Sequence, residues 1–191
     1  CHEFYFQNLK VVDRHMCGVE LLLGAELNIL DSDGTVDLPD KILRKLDITI
    51  ASLHTPCMSP GTELENTKAY VNAIKNPLIN IIGHPDDRRY PVDYKEIVLA
   101  AKEYHTLIEL NNGSLAGNGP RVNARPLDIE ILGLCAEYNV PIVVGSDAHI
   151  DMAVGNHEHA IALLEEVQFP KHLIVNLDVD YLKKYVNRYK L

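Results

Sequence analysis

Ile48-Thr49-Ile50-Ala51-Ser52-Leu53-His54 is an apolar run closed by a histidine, and Leu78-Ile79-Asn80-Ile81-Ile82-Gly83-His84 repeats the arrangement 30 residues later. Two further runs carry metal-type side chains at or just past their ends. Glu20–Leu27 holds Glu26, and Val140–Gly145 is followed by Asp147 and His149. Asn111 and Asn112 follow a shorter run, Leu107–Leu110. One strand, one helix and two loops take about 30 residues. The spacing therefore predicts βα units in series, each setting a polar side chain at the carboxyl end of its strand. In a barrel of such units those ends carry the chemistry.

The segments between the runs read as helices. Thr62–Lys75 opens on a threonine cap with Glu65 three residues on, the pattern of a capping box. Val92–His105 and Pro126–Tyr138 each repeat apolar residues along one face. Leu38–Leu46 is a short helix with Pro39 in its first turn. His157–Val167 and Val179–Tyr189 are helices flanking a last short strand, Leu173–Val175. Residues 2–15 read as a poor helix, Gly18–Asn28 as a strand, and Asp31-Ser-Asp-Gly34 as a hairpin turn. No linker, repeat or low-complexity stretch interrupts the alternation. The expectation is one domain over residues 1–191, an α/β fold built as a βα barrel or a piece of one.

The bulk numbers exclude several classes. Hydrophobic content of 47% and charged content of 24% are ordinary for a globular protein. A net charge of −9 gives no basic footprint for nucleic acid. No apolar stretch approaches the ~20 residues of a membrane span, and the polar, aromatic amino end does not read as a signal peptide. Cys1, Cys17, Cys57 and Cys135 show no CxxC spacing, which suggests reduced thiols and a cytoplasmic protein. Cys57, three residues after His54, is a further candidate to line a site. The start at Cys1 hints at a processed or truncated chain.

Glu26, His54, His84, Asp147 and His149 are ligand types that suit zinc, manganese or iron. One strand-end histidine alone is more often a hydrogen-bonded structural residue; four positions in register are hard to explain by packing. His157-Glu158-His159 is different: two residues apart on a helix they point about 200° from one another, so they read as solvent-facing. His15, His105 and His172 fall at predicted helix ends or loops. Arg88, Arg89, Arg121 and Arg125 lie in loops after the His84 and Asn111 strands. Arg88 and Arg121, with Asn111, are candidates to hold an anionic substrate; Asn111 and Asn112 serve equally well as turn residues.

These strings, Gly24-Ala25-Glu26, Ser52-Leu53-His54, Gly83-His84-Pro85-Asp86-Asp87 and Gly145-Ser146-Asp147-Ala148-His149, in this order, resemble the PHP (polymerase and histidinol phosphatase) family, closest to its small stand-alone phosphatases. The resemblance covers nearly the whole chain. It implies a distorted (β/α)7 TIM-like barrel that hydrolyses small phosphate esters with divalent metals, zinc first. It implies Glu26 as a carboxylate bridging two ions, His54 and His84 on one ion, Asp147 on a second and His149 on a third.

The family's opening His-x-His, a further His and an Asp-His have no counterpart here. The resemblance thus implies a barrel lacking its first two strands, with only the Glu26/His54/His84 site retaining its ligands. Open strand edges, a homo-oligomer and near-background phosphatase activity of this stretch are the corresponding expectations. The alternatives are a degenerate PHP module with a structural or binding role, and an amidohydrolase-type metal hydrolase. The second needs a lysine at a strand end, whereas Lys45, Lys75 and Lys102 fall in predicted helices.

Overall fold

The structure, a computed structural model, describes residues 3–117 and 121–190. Cys1 therefore lies outside the described residues. The chain opens on a 3-10 stretch, Glu3–Val11, in place of the expected helix, and buries only Phe6. A two-residue hairpin follows, β1 (His15–Met16) and β2 (Val19–Glu20). Cys17 at φ 54° and Gly18 at φ 79° give its turn the two left-handed residues that a type I′ turn needs. This hairpin cuts the expected Gly18–Asn28 strand in two and places His15 on an exposed strand.

β3 (Gly24–Asn28) then enters the main sheet. The Asp31–Gly34 turn forms as expected. It closes a single antiparallel bridge between Ile29 and Val36, with Asp31 Oδ1 accepting from the Asp33 and Thr35 amides. Gly34 is required twice over. Its φ is 78°, and a Cβ there would lie 2.3 Å from the Ala73 nitrogen.

The rest alternates. In order come α1 (Asp40–Leu43), β4 (Ile48–Ser52), α2 (Glu63–Ile74), β5 (Ile81–Ile82), α3 (Tyr94–Tyr104) and β6 (Leu107–Asn111). Then follow α4 (Asn112–Leu115), α5 (Arg125–Tyr138), β7 (Ile142–Gly145), α6 (Glu158–Glu166), α7 (Val179–Lys183) and α8 (Asn187–Lys190). The Thr62/Glu65 capping box at the start of α2 is formed in both directions. Asp93 caps α3, and His105 ends it in the left-handed region at φ 60°, stacked on Tyr185.

The strands form one parallel sheet in the order β3-β4-β5-β6-β7. Side chains alternate across it. Leu27, Ala51, Leu53, Ile108, Leu110 and Ile142 pack with α2, α3 and α5 in the main core. Ile48, Ile50, Ile81, Leu107 and Val143 face the other way, where Val175, Tyr181, Leu182 and Tyr185 cover them. The carboxyl end of that second face stays open.

The expected barrel does not close among the described residues. β3 pairs only with β4, and no strand forms at Leu173–Val175. That segment makes two 3-10 turns, Lys171–Leu173 and Val175–Leu177, and touches β7 through one bridge, Ile142 to Ile174. The reason is local. The Val144 amide donates to Asn176 Oδ1 (2.7 Å) and the Val144 carbonyl accepts from Asn176 Nδ2 (2.9 Å), so one side-chain amide takes the place of a ladder.

At the other end of the sheet Asp47 ties the chain ends together. It accepts from Arg14 Nε (3.0 Å), the Leu23 amide (2.8 Å) and Arg188 (3.4 Å). No helix among the described residues is long and apolar enough to cross a membrane.

Candidate functional site

Glu26 leaves the middle of β3 on the open face, and the parallel register sets it beside Ile50 of β4. His54 has the same parity two residues past Ser52 and points to the same side. Counting from Ile82, His84 belongs on the opposite, helix-covered face. Its backbone breaks the alternation at φ 30° and returns the ring to Glu26. His84 Nε2 lies 2.9 Å and His54 Nε2 3.2 Å from Glu26 Oε1. The ligand-type atoms of the three all fall within 4.8 Å of one another.

The site is graded from solvent to interior. The side chains of Glu26, His54 and His84 are 39%, 29% and 3% exposed, so an incoming ion or substrate meets Glu26 and His54 first. Bonds from His54 and then His84 hold the Glu26 carboxyl well below the usual carboxylate range, against its partial burial. Burial is the largest influence on His84 and pulls its pKa down. The bond to Glu26 and the charges of Glu109 and Glu26 outweigh it, and the imidazole ends above its ordinary value.

Supporting groups fix these side chains. Asn28 Oδ1 meets His54 Nδ1 at 2.8 Å, which leaves Nε2 to the site. Asp37 in turn accepts from the Asn28 amide (3.0 Å) and from Asn28 Nδ2 (2.6 Å). Glu109 is buried on β6 and accepts from the His84 amide (2.9 Å) and from Asn111 Nδ2 (3.1 Å); burial raises its pKa. Sequence reasoning gave none of Asn28, Asp37 and Glu109 a role. Glu109 left a signal, an acid at the centre of the run Leu107–Leu110, where an unpaired carboxylate is costly.

Asp147 lies across the same cleft, a cavity of about 240 Å³ walled by Glu26, His84, Glu109, Asn111 and Asp147 among others. It is paired with Arg121 at 2.5 Å. Arg121 Nε donates to Ser114 Oγ (2.7 Å), and its Nη2 reaches Asn111 Oδ1 (3.4 Å). Asn111 caps α4 by accepting from the Ser114 amide, and Asn112 accepts from the Ala160 amide at the start of α6. Both asparagines are thus bonded into helix starts rather than into a free turn.

Other expected residues stand apart. His149 is 87% exposed, its Nδ1 bonded to the Asp147 carbonyl at 2.9 Å, because the chain turns outward after Asp147 at φ 51°. Arg88 is exposed and lines a separate cleft with Glu63, Tyr90 and Tyr94. Arg89 pairs with Asp87 and Arg125 with Glu166. Cys57 is exposed in the turn after His54 and outside the ligand-type group. His159 faces solvent, while His157 is half-buried on the wall of a larger apolar cavity of about 590 Å³ between α6 and the 3-10 turns. That cavity contains none of the carboxylate–imidazole group, so size does not mark the chemistry here.

Two buried acids extend the polar cluster below the site. Asp86 and Asp128 are both 1% exposed, and burial raises the pKa of each. Neither Asp86 oxygen meets hydrogen-bond geometry with a partner, although the nearby Ser114 hydroxyl partly offsets the burial.

Fold and site together define a class, an α/β protein whose strand ends gather a carboxylate and two imidazoles able to hold a divalent ion. Comparison with known proteins narrows it. The chain is 47% identical over 186 residues to a probable phosphatase of Caldanaerobacter subterraneus subsp. tengcongensis, spanning 97% of this chain and 72% of that protein. Probable phosphatases of Clostridium novyi (43%; 97% and 75% of the two chains) and Thermoanaerobacter sp. (44%; 99% and 77%) match similarly. The chain belongs to this family of probable phosphatases. No model of a known protein family matches it. Among solved structures it resembles in fold a chain of archaeal ribonuclease P with mature tRNA, at TM-score 0.59 and 20% identity over 90% of this chain and 68% of that one.

Proposed function

We propose that this chain is a divalent-metal-dependent phosphoesterase of the PHP type, acting on small phosphate esters from a single domain with a fold of the distorted (β/α)7 kind. The observation that carries the proposal is the convergence of Glu26, His54 and His84. Ligands at about 2.0–2.1 Å around a tetrahedral ion lie about 3.3 Å apart. The two separations from Glu26, 2.9 and 3.2 Å, are close enough for all three side chains to share one ion. Two nitrogens and one oxygen also fit zinc with a fourth position open, manganese and iron being the alternatives.

Bound there, a divalent ion supplies a nucleophile at neutral pH and positive charge for the phosphoryl oxygens. The chain's own residues do the rest. Glu26 brings the negative charge that draws a cation to the cleft. Asn28 keeps His54 Nε2 turned inward. Arg121, held by Ser114 and Asn111, is placed to grip a phosphate oxygen beside Asp147. Asp147 adds a carboxylate on the far wall as a ligand in waiting, and His149 is a ligand only if its loop turns inward. The thiols of Cys17, Cys57 and Cys135 are free, which supports a reducing, cytoplasmic setting. The net charge of −9 speaks against nucleic acid as a partner.

Zinc titration of the metal-free chain, with His84→Ala and Glu26→Gln beside it, tests the proposal. Wild type should take up about one equivalent tightly and both variants should lose it. Equal uptake by all three would refute the ligand assignment, and with it the metal dependence.

A further inference from the structure

One buried oxygen on β6 touches both halves of the site. Oε2 of Glu109 accepts from the backbone amide of His84 at 2.9 Å and from Nδ2 of Asn111 at 3.1 Å. The first bond fixes the backbone that re-aims His84. Without the left-handed turn at φ 30°, strand alternation would send this ring into the helix-covered face, away from Glu26. A non-glycine residue pays for such a backbone, and it persists only when surrounding contacts over-determine it. The second bond fixes Asn111, whose Oδ1 accepts from the Ser114 amide and from Arg121.

One glycine makes the slot that Glu109 occupies. A Cβ on Gly145 would lie 2.0 Å from Glu109 Oε1 and 3.0 Å from its carboxyl carbon, whereas a Cβ on Gly83 would meet Ser52 Oγ at 2.3 Å and only touch Glu109 Oε2 at 3.6 Å. On β7, the strand beside Glu109, the side chain at Gly145 is thus absent next to this carboxylate. Glu109 is outside the ligand-type group itself.

We propose that Glu109 is a positioning residue that sets His84 for the metal and Asn111–Arg121 for the phosphate from a single carboxylate oxygen. The inference rests on the phosphoesterase reading for what the two limbs hold, but the placement of His84 by Glu109 stands apart from it. A glutamate suits the task because two N–H donors converge on one of its oxygens, which accepts both bonds. A glutamine can present its oxygen to the same two donors; a methionine fills the space with no strong acceptor.

The test compares wild type with Glu109→Gln, Glu109→Met and Gly145→Ala. Two quantities are read: the proton shift of the His84 backbone amide in metal-free protein, and zinc affinity by competition with a chromophoric chelator. Glu109→Met should move the His84 amide upfield and weaken zinc binding about 10–100-fold, the usual size of a supporting-residue effect. Glu109→Gln should restore affinity to within about threefold. Gly145→Ala keeps every donor and ligand yet pushes the carboxylate aside, so it should weaken zinc in the same direction; it decides the matter together with Glu109→Gln if Glu109→Met does not fold. An unmoved His84 amide with wild-type zinc affinity in Glu109→Met and Gly145→Ala would overturn the proposal. So would a Glu109→Gln variant as weak as Glu109→Met. If wild type itself binds no zinc, the phosphoesterase reading fails alone, and the amide shift still decides what Glu109 does.

Discussion

Nε2 of His84 lies 2.9 Å from Oε1 of Glu26, across 58 residues and from strands that are not neighbours in the sheet. The bond works on both partners in opposite senses. It holds the Glu26 carboxyl below its ordinary 4.5 and lifts the His84 imidazole above its ordinary 6.5.

That pairing predicts a window of stability for the metal-free chain. A carboxylate with a depressed folded pKa contributes stability above 4.5 and loses it as pH falls toward the folded value. An imidazole with a raised folded pKa contributes below 6.5 and loses it as pH rises through the folded value. The two overlap between pH 4.5 and 6.5. The Tm difference between wild type and Glu26→Gln should therefore peak at about pH 5–6 and shrink on both sides. A difference that is flat from pH 4 to 8 would show that the bond does not form in solution.

The His54 ring is oriented by the Asn28 amide, which the Asp37 carboxylate holds in turn. Asn28→Ala removes the partner of Nδ1 and frees the ring to rotate. Zinc affinity should fall about 10–100-fold, with Asp37→Ala, one bond further out, falling less. Chelator competition measures both. Equal losses, or none, would mean that the ring is held by packing instead.

Arg121 should matter to phosphate and not to metal. In Arg121→Ala, inhibition by inorganic phosphate should weaken by about tenfold, and Arg121→Lys should restore little, because an ammonium cannot reproduce the planar fork that spans Ser114 and Asp147. Displacement of a bound aryl phosphate from the zinc-loaded chain by inorganic phosphate gives the readout, whether or not the chain turns it over. A parallel drop in zinc affinity would reassign Arg121 to holding Asp147 in place.

The sequence exposed what repeats and hid what is settled across strands. The helices α3 and α5 follow from periodicity, the strands β4, β6 and β7 from apolar runs, and Thr62 with Glu65 marks the start of α2. The shared parity of Glu26 and His54 is also readable. The return of His84 to their face is not, since it depends on a backbone angle fixed by Glu109 from another strand. β5 is only Ile81–Ile82; before it the Asn80 backbone still bonds to Thr49 and Leu107, and its side chain also accepts from the Thr49 amide (2.9 Å). The outward turn of His149 likewise follows from Asp147 at φ 51°, in a string where spacing alone set the two side by side.

The edges of the sheet give the last prediction. Asn176 occupies the outer edge of β7 at Val144, where a closing strand was expected, and satisfies one donor and one acceptor at once. Val144 is buried, so Asn176→Ala strands both groups away from water. The cost should be about 1–3 kcal/mol, read as a lower denaturant midpoint. β3 has no second partner strand among the described residues; Asp37 takes the outer N–H and C=O of Asn28, which leaves the edge at Gly24–Glu26 for another chain. Wild type should therefore self-associate through β3, and Asn176→Ala should open a second edge and raise the average mass by light scattering. Asn176→Asp keeps an acceptor but loses the donor, and should fall between the two. A monodisperse wild-type monomer would remove the β3 argument. An Asn176→Ala variant with unchanged midpoint and mass would show that water, not the amide, closes the edge of β7.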